Sequence, residues 1–291
     1  RDLQLSLRRQ RQMCIRDRLR GVIVQSGNDA SIALAEHVAG GEAEFAHMMN
    51  EKARRLGLRN TNFVNATGLP GDDHYSTASD LARLTIELIK NHPNHYEIYA
   101  ERSFEYNGIK QPNRNKLLWR DLSVDGVKTG YTKKAGYCLV ASAKRDGMRL
   151  VSVVLGTSSD QDRMKESQKL LSFGFRNYDT QLLYRANSEI TRLKVFYGKS
   201  DAVSIIAPTD VYVTAPRGDL ESAVTELSVP KHLEAPIKRN DVIGSLAVVL
   251  PGEDEVIHEA KVLAADEIRE ANLFGKVSDF FYLFYSELFG E

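Results

Sequence analysis

The chain has 291 residues, 42 % of them apolar and 27 % charged, with 39 basic residues balancing 39 acidic ones. That is an ordinary globular composition, long enough for one large domain or two smaller ones. Zero net charge excludes a nucleic-acid-binding field, and two cysteines, Cys14 and Cys138, exclude a disulfide framework without deciding the compartment. No run of 18 apolar residues exists, so no spanning helix is expected. No signal peptide opens the chain, so export implies a targeting segment outside these residues.

The first 18 residues differ from the rest: six are arginine and none is lysine. Met13-Cys14-Ile15-Arg16-Asp17 reads like a translated sequencing-library adapter, so residues 1–18 are expected to be non-native. Leu19–Val24 is apolar and enters a helix or a short connection. Asn28 and Asp29 are expected as N-cap residues of a helix over Ala30–Ala39, ended by Gly40-Gly41. A second helix is expected from Glu42 to Leu56, with Phe45, Met49, Ala53 and Leu56 on one face and Gly57 after it; Met48 and Met49 read as core. Asn60–Ser76 reads as loops, and Thr77-Ala78-Ser79-Asp80 caps a helix to Lys90. Asp72-Asp73-His74 and His92-Pro93-Asn94-His95 lack metal-site spacing and read as solvated loops, so no metal is expected.

Val124-Asp125-Gly126-Val127-Lys128-Thr129-Gly130-Tyr131-Thr132 precedes an apolar run, Tyr137–Ala143, that reads as a strand. Gly126 and Gly130 flank the lysine, and glycine in a strand often marks close approach of another backbone. Lys128 supplies a compact charge and Thr129 a hydroxyl, a pairing suited to a peptide laid along a sheet edge with its carboxylate at that spot. Residues 137–143 and 149–156 read as two strands joined by Asp146-Gly147, followed by a helix over Gln161–Phe173. After Tyr178 short alternating runs recur: Ile190–Tyr197, Val203–Ala207, Val211–Ala215, Val224–Val229, Ile243–Leu250 and Val256–Ala264. They predict a small all-β domain.

Ser26-Gly27-Asn28, about 100 residues upstream of Lys128-Thr129-Gly130, is a variant of the Ser-Asp-Asn element that precedes Lys-Thr-Gly in penicillin-binding proteins and class A β-lactamases. With Asn113-Arg114-Asn115-Lys116-Leu117-Leu118-Trp119 and Val124–Ala143, the chain from Leu19 on closely resembles the D-alanyl-D-alanine carboxypeptidases among the low-molecular-mass penicillin-binding proteins. The resemblance implies an α/β (α+β) domain of the β-lactamase/transpeptidase type over 19–178, incomplete at its N-terminus. A β-rich domain over 179–265 and a linker with an amphipathic helix over 266–291 follow. It implies a serine-type peptidase that removes the terminal D-alanine from peptidoglycan pentapeptide, binds β-lactam antibiotics and needs no cofactor.

The resemblance also distributes roles. Ser26 relays a proton to the leaving D-alanine, and Asn28 bonds the peptide amide. Lys128 sets the electrostatics of Ser26. Lys128 and Thr129, with Gly130 between them and Tyr131, grip the substrate; the Tyr131 N–H supplies half of the oxyanion hole. Arg114 and Arg163 stand near the carboxylate end of the cleft, where a guanidinium fork suits two oxygens. One departure is plain: no Ser-x-x-Lys precedes Ser26, the only earlier serine being Ser6, three residues before Arg9. The nucleophile, its helix and flanking strands are expected in a missing region, so the first sheet should have an open edge, and the chain as written is expected to be inactive. A non-catalytic peptidoglycan- or partner-binding member is the alternative. A β-lactamase or transpeptidase of the same fold is a third reading, and a β-lactamase usually ends after one domain.

The tail carries a further expectation. Six of the 15 residues 276–290 are Phe or Tyr, against 24 aromatic residues in all. Helical spacing sets Val277, Phe280, Phe281, Phe284 and Leu288 on one face, with Asp279 and Ser286 opposite. This reads as an interfacial helix on a membrane surface. The family places such an anchor on the outer, periplasmic face of the bacterial cytoplasmic membrane.

Overall fold

A computed structural model describes residues 15–250, 256–273, 275–277 and 279–281. The expected foreign segment up to residue 14 and the helix beyond residue 281 lie outside the described residues. The chain forms two compact units, Arg1–Phe175 and Arg176–Glu291.

The first unit opens with α1, helical over residues 15–25, followed by α2 (Asn28–Ala39), α3 (Glu42–Arg55) and α4 (Ala78–Asn91). α2 stops at Gly40, whose φ of 84° is easy only for glycine and whose N–H closes on Glu36. The N-cap of α2 is Gly27, not Asn28 or Asp29, which already lie in its first turn. Met48 is 46 % exposed rather than core. Thr77 caps α4 as expected, accepting from the Asp80 N–H at 3.2 Å. The long connection between α3 and α4 holds its shape through side chains. Asn50 bonds both the N–H and the carbonyl of Phe63, and buried Asp80 accepts from Asn60 N–H and Thr61 Oγ1.

After α5 (Pro93–Tyr96) and a 3-10 turn over Glu97–Ala100 comes a hairpin of β1 (Ser103–Tyr106) and β2 (Ile109–Pro112). Its turn is Asn107-Gly108, both with positive φ, 50° and 76°. The short α6 (Leu117–Arg120) leads into β3 (Val124–Thr132), β4 (Gly136–Arg145) and β5 (Met148–Thr157). These form an antiparallel sheet in the order β3-β4-β5, with β3 at one edge. Asp146-Gly147 makes the expected turn between β4 and β5, again with positive φ at both residues. α7 (Asp160–Asn177) packs Met164 and Leu171 onto Leu117, Leu139, Ala141 and Ala143. Each such buried Leu contributes roughly 2 kcal/mol.

Among its described residues the second unit is β apart from a 3-10 turn over Asp219–Glu221 and its C-terminal segment. β6 (Tyr178–Tyr184) pairs with β9 (Val211–Pro216). A six-stranded sheet is built from β7 (Glu189–Phe196), β8 (Ala202–Ile206), β10 (Val224–Ser228), β11 (His232–Glu234), β12 (Val242–Val249) and β13 (Val256–Ala264). Its order is β10-β12-β13-β8-β7-β11. Strict alternation of buried and exposed residues along β9 sends Val211, Val213 and Ala215 inward. Val211 joins Val195, Val203, Ile205, Leu246, Val262 and Ile268 in one core. Past Ala271 the chain turns helical over residues 273, 275–277 and 279–281. Both backbone groups of Tyr197 serve this segment: its carbonyl accepts from Ala271 N–H at 2.7 Å, and its N–H donates to the Asp279 carboxylate at 2.6 Å.

Candidate active site

α1 ends where its residue after Gln25 turns left-handed. Ser26 takes φ 58°, and the N–H groups of Ser26 and Gly27 close back on the carbonyls of Val22 and Gly21. Gly27 returns to an extended conformation and α2 begins at Asn28. The Ser-Gly-Asn triplet is therefore a joint between two helices, and it leaves Ser26 half-buried. Asn28 is exposed in the first turn of α2.

Strand β3 brings the second half. The Lys128 ammonium donates to Ser26 Oγ, and to its neighbour's carbonyl, Thr129 O, at 2.8 Å. Burial pulls the Lys128 pKa down to about 8, and the positive charges of Arg114 and Arg163 add to the effect. Thr129 is buried, 8 % exposed, and Gly130 and Tyr131 are exposed. The Tyr131 ring packs on Tyr137 with centroids 4.3 Å apart.

The two arginines differ. Arg114 is exposed and spends only Nε, on the carbonyl of Gln25 at 2.9 Å. Its two terminal nitrogens have no partner among the described residues. Arg163 is 7 % exposed, and its fork is occupied within the fold. It donates to the carbonyls of Gly130 at 3.0 Å and Cys138 at 3.3 Å, pairs with Asp160, and lies over the Tyr137 ring. Arg163, expected near the carboxylate end of the cleft, braces β3 and β4 from α7 through these contacts. Burial pushes the Asp160 carboxyl up, but Lys116 and Arg163 outweigh it and hold its pKa below the usual range.

The glycines are also sorted. Gly126 does mark a close approach, but of a side chain rather than a backbone. A Cβ there would lie 2.4 Å from the Tyr96 hydroxyl. At Gly130 the nearest atom to such a Cβ is Cys138 Cβ at 3.7 Å, ordinary contact, so Gly130 leaves the strand's surface smooth rather than admitting a neighbour.

Residues that the sequence reading did not single out support these groups. Tyr96 donates to Asp125 at 2.8 Å, Arg149 grips the same carboxylate with two bonds, and Arg149 also reaches Ser142. Burial first, then Asp125, raises the Tyr96 pKa, keeping it a neutral donor. Asn113 and Asn115 are buried on either side of exposed Arg114. The alternation Asn-Arg-Asn was the one visible signal for the last pair; nothing marked Tyr96 or Arg149.

Comparison with known proteins decides the family. Residues 2–159 match the D-alanyl-D-alanine carboxypeptidase family, and residues 178–270 match the penicillin-binding protein 5 C-terminal domain. The first match begins inside the segment read as foreign. The chain belongs to the D-alanyl-D-alanine carboxypeptidase family. It is 41 % identical to D-alanyl-D-alanine carboxypeptidase DacA of Haemophilus influenzae over 281 residues, 96 % of this chain and 71 % of that protein. The Escherichia coli DacA is 42 % identical over 276 residues, 94 % of this chain and 68 % of that one. Among solved structures, penicillin-binding protein 5 from Haemophilus influenzae superposes with a TM-score of 0.75 at 42 % identity, covering 86 % of this chain and 73 % of the other. The carboxypeptidase family is one of serine-type hydrolases that bind penicillin, and the mixed α/β unit followed by a β-sheet unit is the architecture of its low-molecular-mass members.

Proposed function

We propose that this chain carries the electrostatic half of a D-Ala-D-Ala carboxypeptidase cleft, in which a peptidoglycan pentapeptide lies along the open edge of β3. The contact between Lys128 and Ser26, with the unspent fork of Arg114 beside it, carries the reading. Lys128 and Arg114 draw the terminal carboxylate, and Thr129 adds its hydroxyl. Ser26, polarised by Lys128, passes a proton to the departing D-alanine, and Asn28 holds the peptide amide. Smooth backbone at Gly130 lets the peptide approach, and the Tyr131 N–H donates to the oxyanion. Arg163 acts behind the strand, fixing the Gly130 carbonyl. β-Lactams occupy the same cleft.

The nucleophile, its adjacent lysine and the second oxyanion donor are proposed to come from the family's Ser-x-x-Lys element. No Ser-x-x-Lys precedes Ser26 in these 291 residues. Ser26 is engaged by Lys128 as a relay, so the acyl-enzyme is proposed to form on a serine of the native upstream segment. The C-terminal helix is proposed to lay its aromatic face on the outer surface of the bacterial cytoplasmic membrane, keeping the cleft on the periplasmic side.

Labelled penicillin with gel fluorography and intact-mass measurement tests the assignment. The 291-residue chain is expected to take no covalent adduct. The same chain joined to its native upstream segment is expected to be acylated stoichiometrically. A stoichiometric adduct on the 291-residue chain that disappears in Ser26→Ala would overturn the division of roles.

A further inference from the structure

The serine and the lysine come from elements that share no hydrogen-bonded ladder. Ser26 sits at the joint after α1, and Lys128 lies on β3, which among the described residues pairs with β4 alone. Something other than sheet pairing must fix their separation, because a hydrogen bond between two side chains is too weak to hold a helix end against a strand.

The segment 113–115 meets both elements. Asn115 is 1 % exposed, and its Nδ2 donates to the carbonyl of Gly126 on β3 at 3.0 Å. Its Oδ1 accepts from Leu117 N–H at 3.2 Å, at the start of α6. One residue earlier, Arg114 donates to the carbonyl of Gln25, the residue before Ser26. The Gln25 side chain answers with a bond to the carbonyl of Pro112 at 2.7 Å. Asn113, buried at 5 %, ties the segment down: its Nδ2 donates to Glu101 O, its N–H to Arg102 O, and its Oδ1 accepts from Asn115 N–H. Glu101 is in turn paired with Arg20 on α1 at 3.0 Å.

We propose that Asn115 is a positioning residue for the Ser26–Lys128 pair: it holds the β3 side through Gly126 while the adjoining Arg114 holds the α1 side through Gln25, so three consecutive residues set the span between serine and lysine. The residue type follows from the geometry. The position needs a donor toward Gly126 and an acceptor toward Leu117 in one planar group. Aspartate offers only acceptors and would set a carboxylate against the Gly126 carbonyl. Leucine of similar shape offers neither. Backbone alternation explains the neighbour: with Asn113 and Asn115 inward, residue 114 must point outward, toward the cleft.

The inference rests on Ser26 and Lys128 being the working pair, but its test needs no substrate. In uniformly 13C,15N-labelled 291-residue chain, the Lys128 side chain is followed by its Cε–Nζ correlation, assigned with Lys128→Arg, and titrated with pH. Asn115→Asp and Asn115→Ala are expected to raise the Lys128 midpoint by about one unit, as the ammonium leaves its pocket beside Ser26 for water. Leu171→Ala, a core change in α7, is expected to lower the melting temperature and leave that midpoint where it was. Asn115→Ser, small and polar, carries the same test if the other two do not fold. A depressed parent midpoint that stays within ~0.3 unit in the folded Asn115 variants overturns the proposal. A parent midpoint at the ordinary lysine value overturns both the proposal and the pairing beneath it.

Discussion

The ammonium of Lys128 meets the hydroxyl of Ser26 across 102 residues of sequence. The serine is presented by a left-handed joint between two helices and the lysine by an edge strand, so neither motif makes a site alone. Their contact leaves the flank of β3 and the Arg114 fork facing one approach.

The first prediction concerns pH. Lys128 titrates at about 8 in the folded protein against an ordinary 10.5. The folded state thus gives up this proton first. Between those two values the unfolded chain binds more protons, so Lys128 adds stability as pH rises through that window and loses it again as pH falls back through 8. Urea midpoints of the parent and Lys128→Met, compared at pH 7 and pH 10, should show the difference moving in the parent's favour at the higher pH. An unchanged difference would contradict the depressed amine.

The two arginines should separate cleanly. Arg163→Met removes a buried guanidinium that serves the Gly130 and Cys138 carbonyls and Asp160, and should cost roughly 2–4 kcal/mol in urea unfolding. Arg114→Met removes an exposed side chain with one backbone bond and should cost about 1 kcal/mol or less. In protein carrying the native upstream segment, Arg114→Met should raise KM for a D-Ala-D-Ala peptide about tenfold and spare Des-carboxyl analogues. Equal stability losses would mean that Arg163 is not the brace described.

A pair of glycines gives a steric test. Gly126→Ala pushes a methyl against the Tyr96 hydroxyl and should destabilise by about 1–3 kcal/mol through overpacking. Gly130→Ala meets only Cys138 Cβ at contact distance, so its stability should stay within ~1 kcal/mol of the parent. Its effect should fall on peptide binding, because the new methyl stands on the exposed strand surface. Thermal melts and peptide titrations read the two effects separately.

The tail is tested with lipid. Val277, Phe280 and Phe281 are 48 %, 57 % and 65 % exposed, while Asp279 turns inward to the Tyr197 N–H. A helix attached by its polar side presents its apolar side outward. Co-sedimentation of the parent with neutral liposomes should persist in 0.5 M salt, where the Debye length is roughly threefold shorter than at 0.05 M, and should fall several-fold in Phe280→Ser/Phe281→Ser. Binding that is undiminished after removing residues 276–291 would dismiss the anchor.

How far the sequence led can be judged element by element. The β4–β5 turn at Asp146-Gly147 and the Thr77 cap were legible because each is local chemistry, decided by one or two residues. The β1–β2 hairpin was equally local, with Asn107-Gly108 as its turn, yet its strands are four residues each and largely exposed, so no apolar alternation drew attention to it. β6 and β11 were missed because what makes them strands is a partner far away in sequence, β9 and β7. At the site, Ser26, Lys128 and Arg114 were legible through their motifs. The engagement of Arg163 was not: sequence records a positive charge, while its direction is set by carbonyls of two strands and by Asp160. Gly126 announced a close approach without saying that a tyrosine 30 residues earlier makes it.

Ser26 itself imposes a conflict on any lineage carrying this fold. A side chain at φ 58° holds a backbone state that glycine enters more easily, at a cost of roughly 1 kcal/mol. Ser26→Gly should therefore melt higher than the parent while deleting the hydroxyl that Lys128 meets. A library screened for thermal stability alone would drift toward glycine at this joint, and one screened for chemistry would drift back. The serine persists only under the second kind of selection, which makes residue 26 a gauge of whether a given descendant of this chain is still being asked to react.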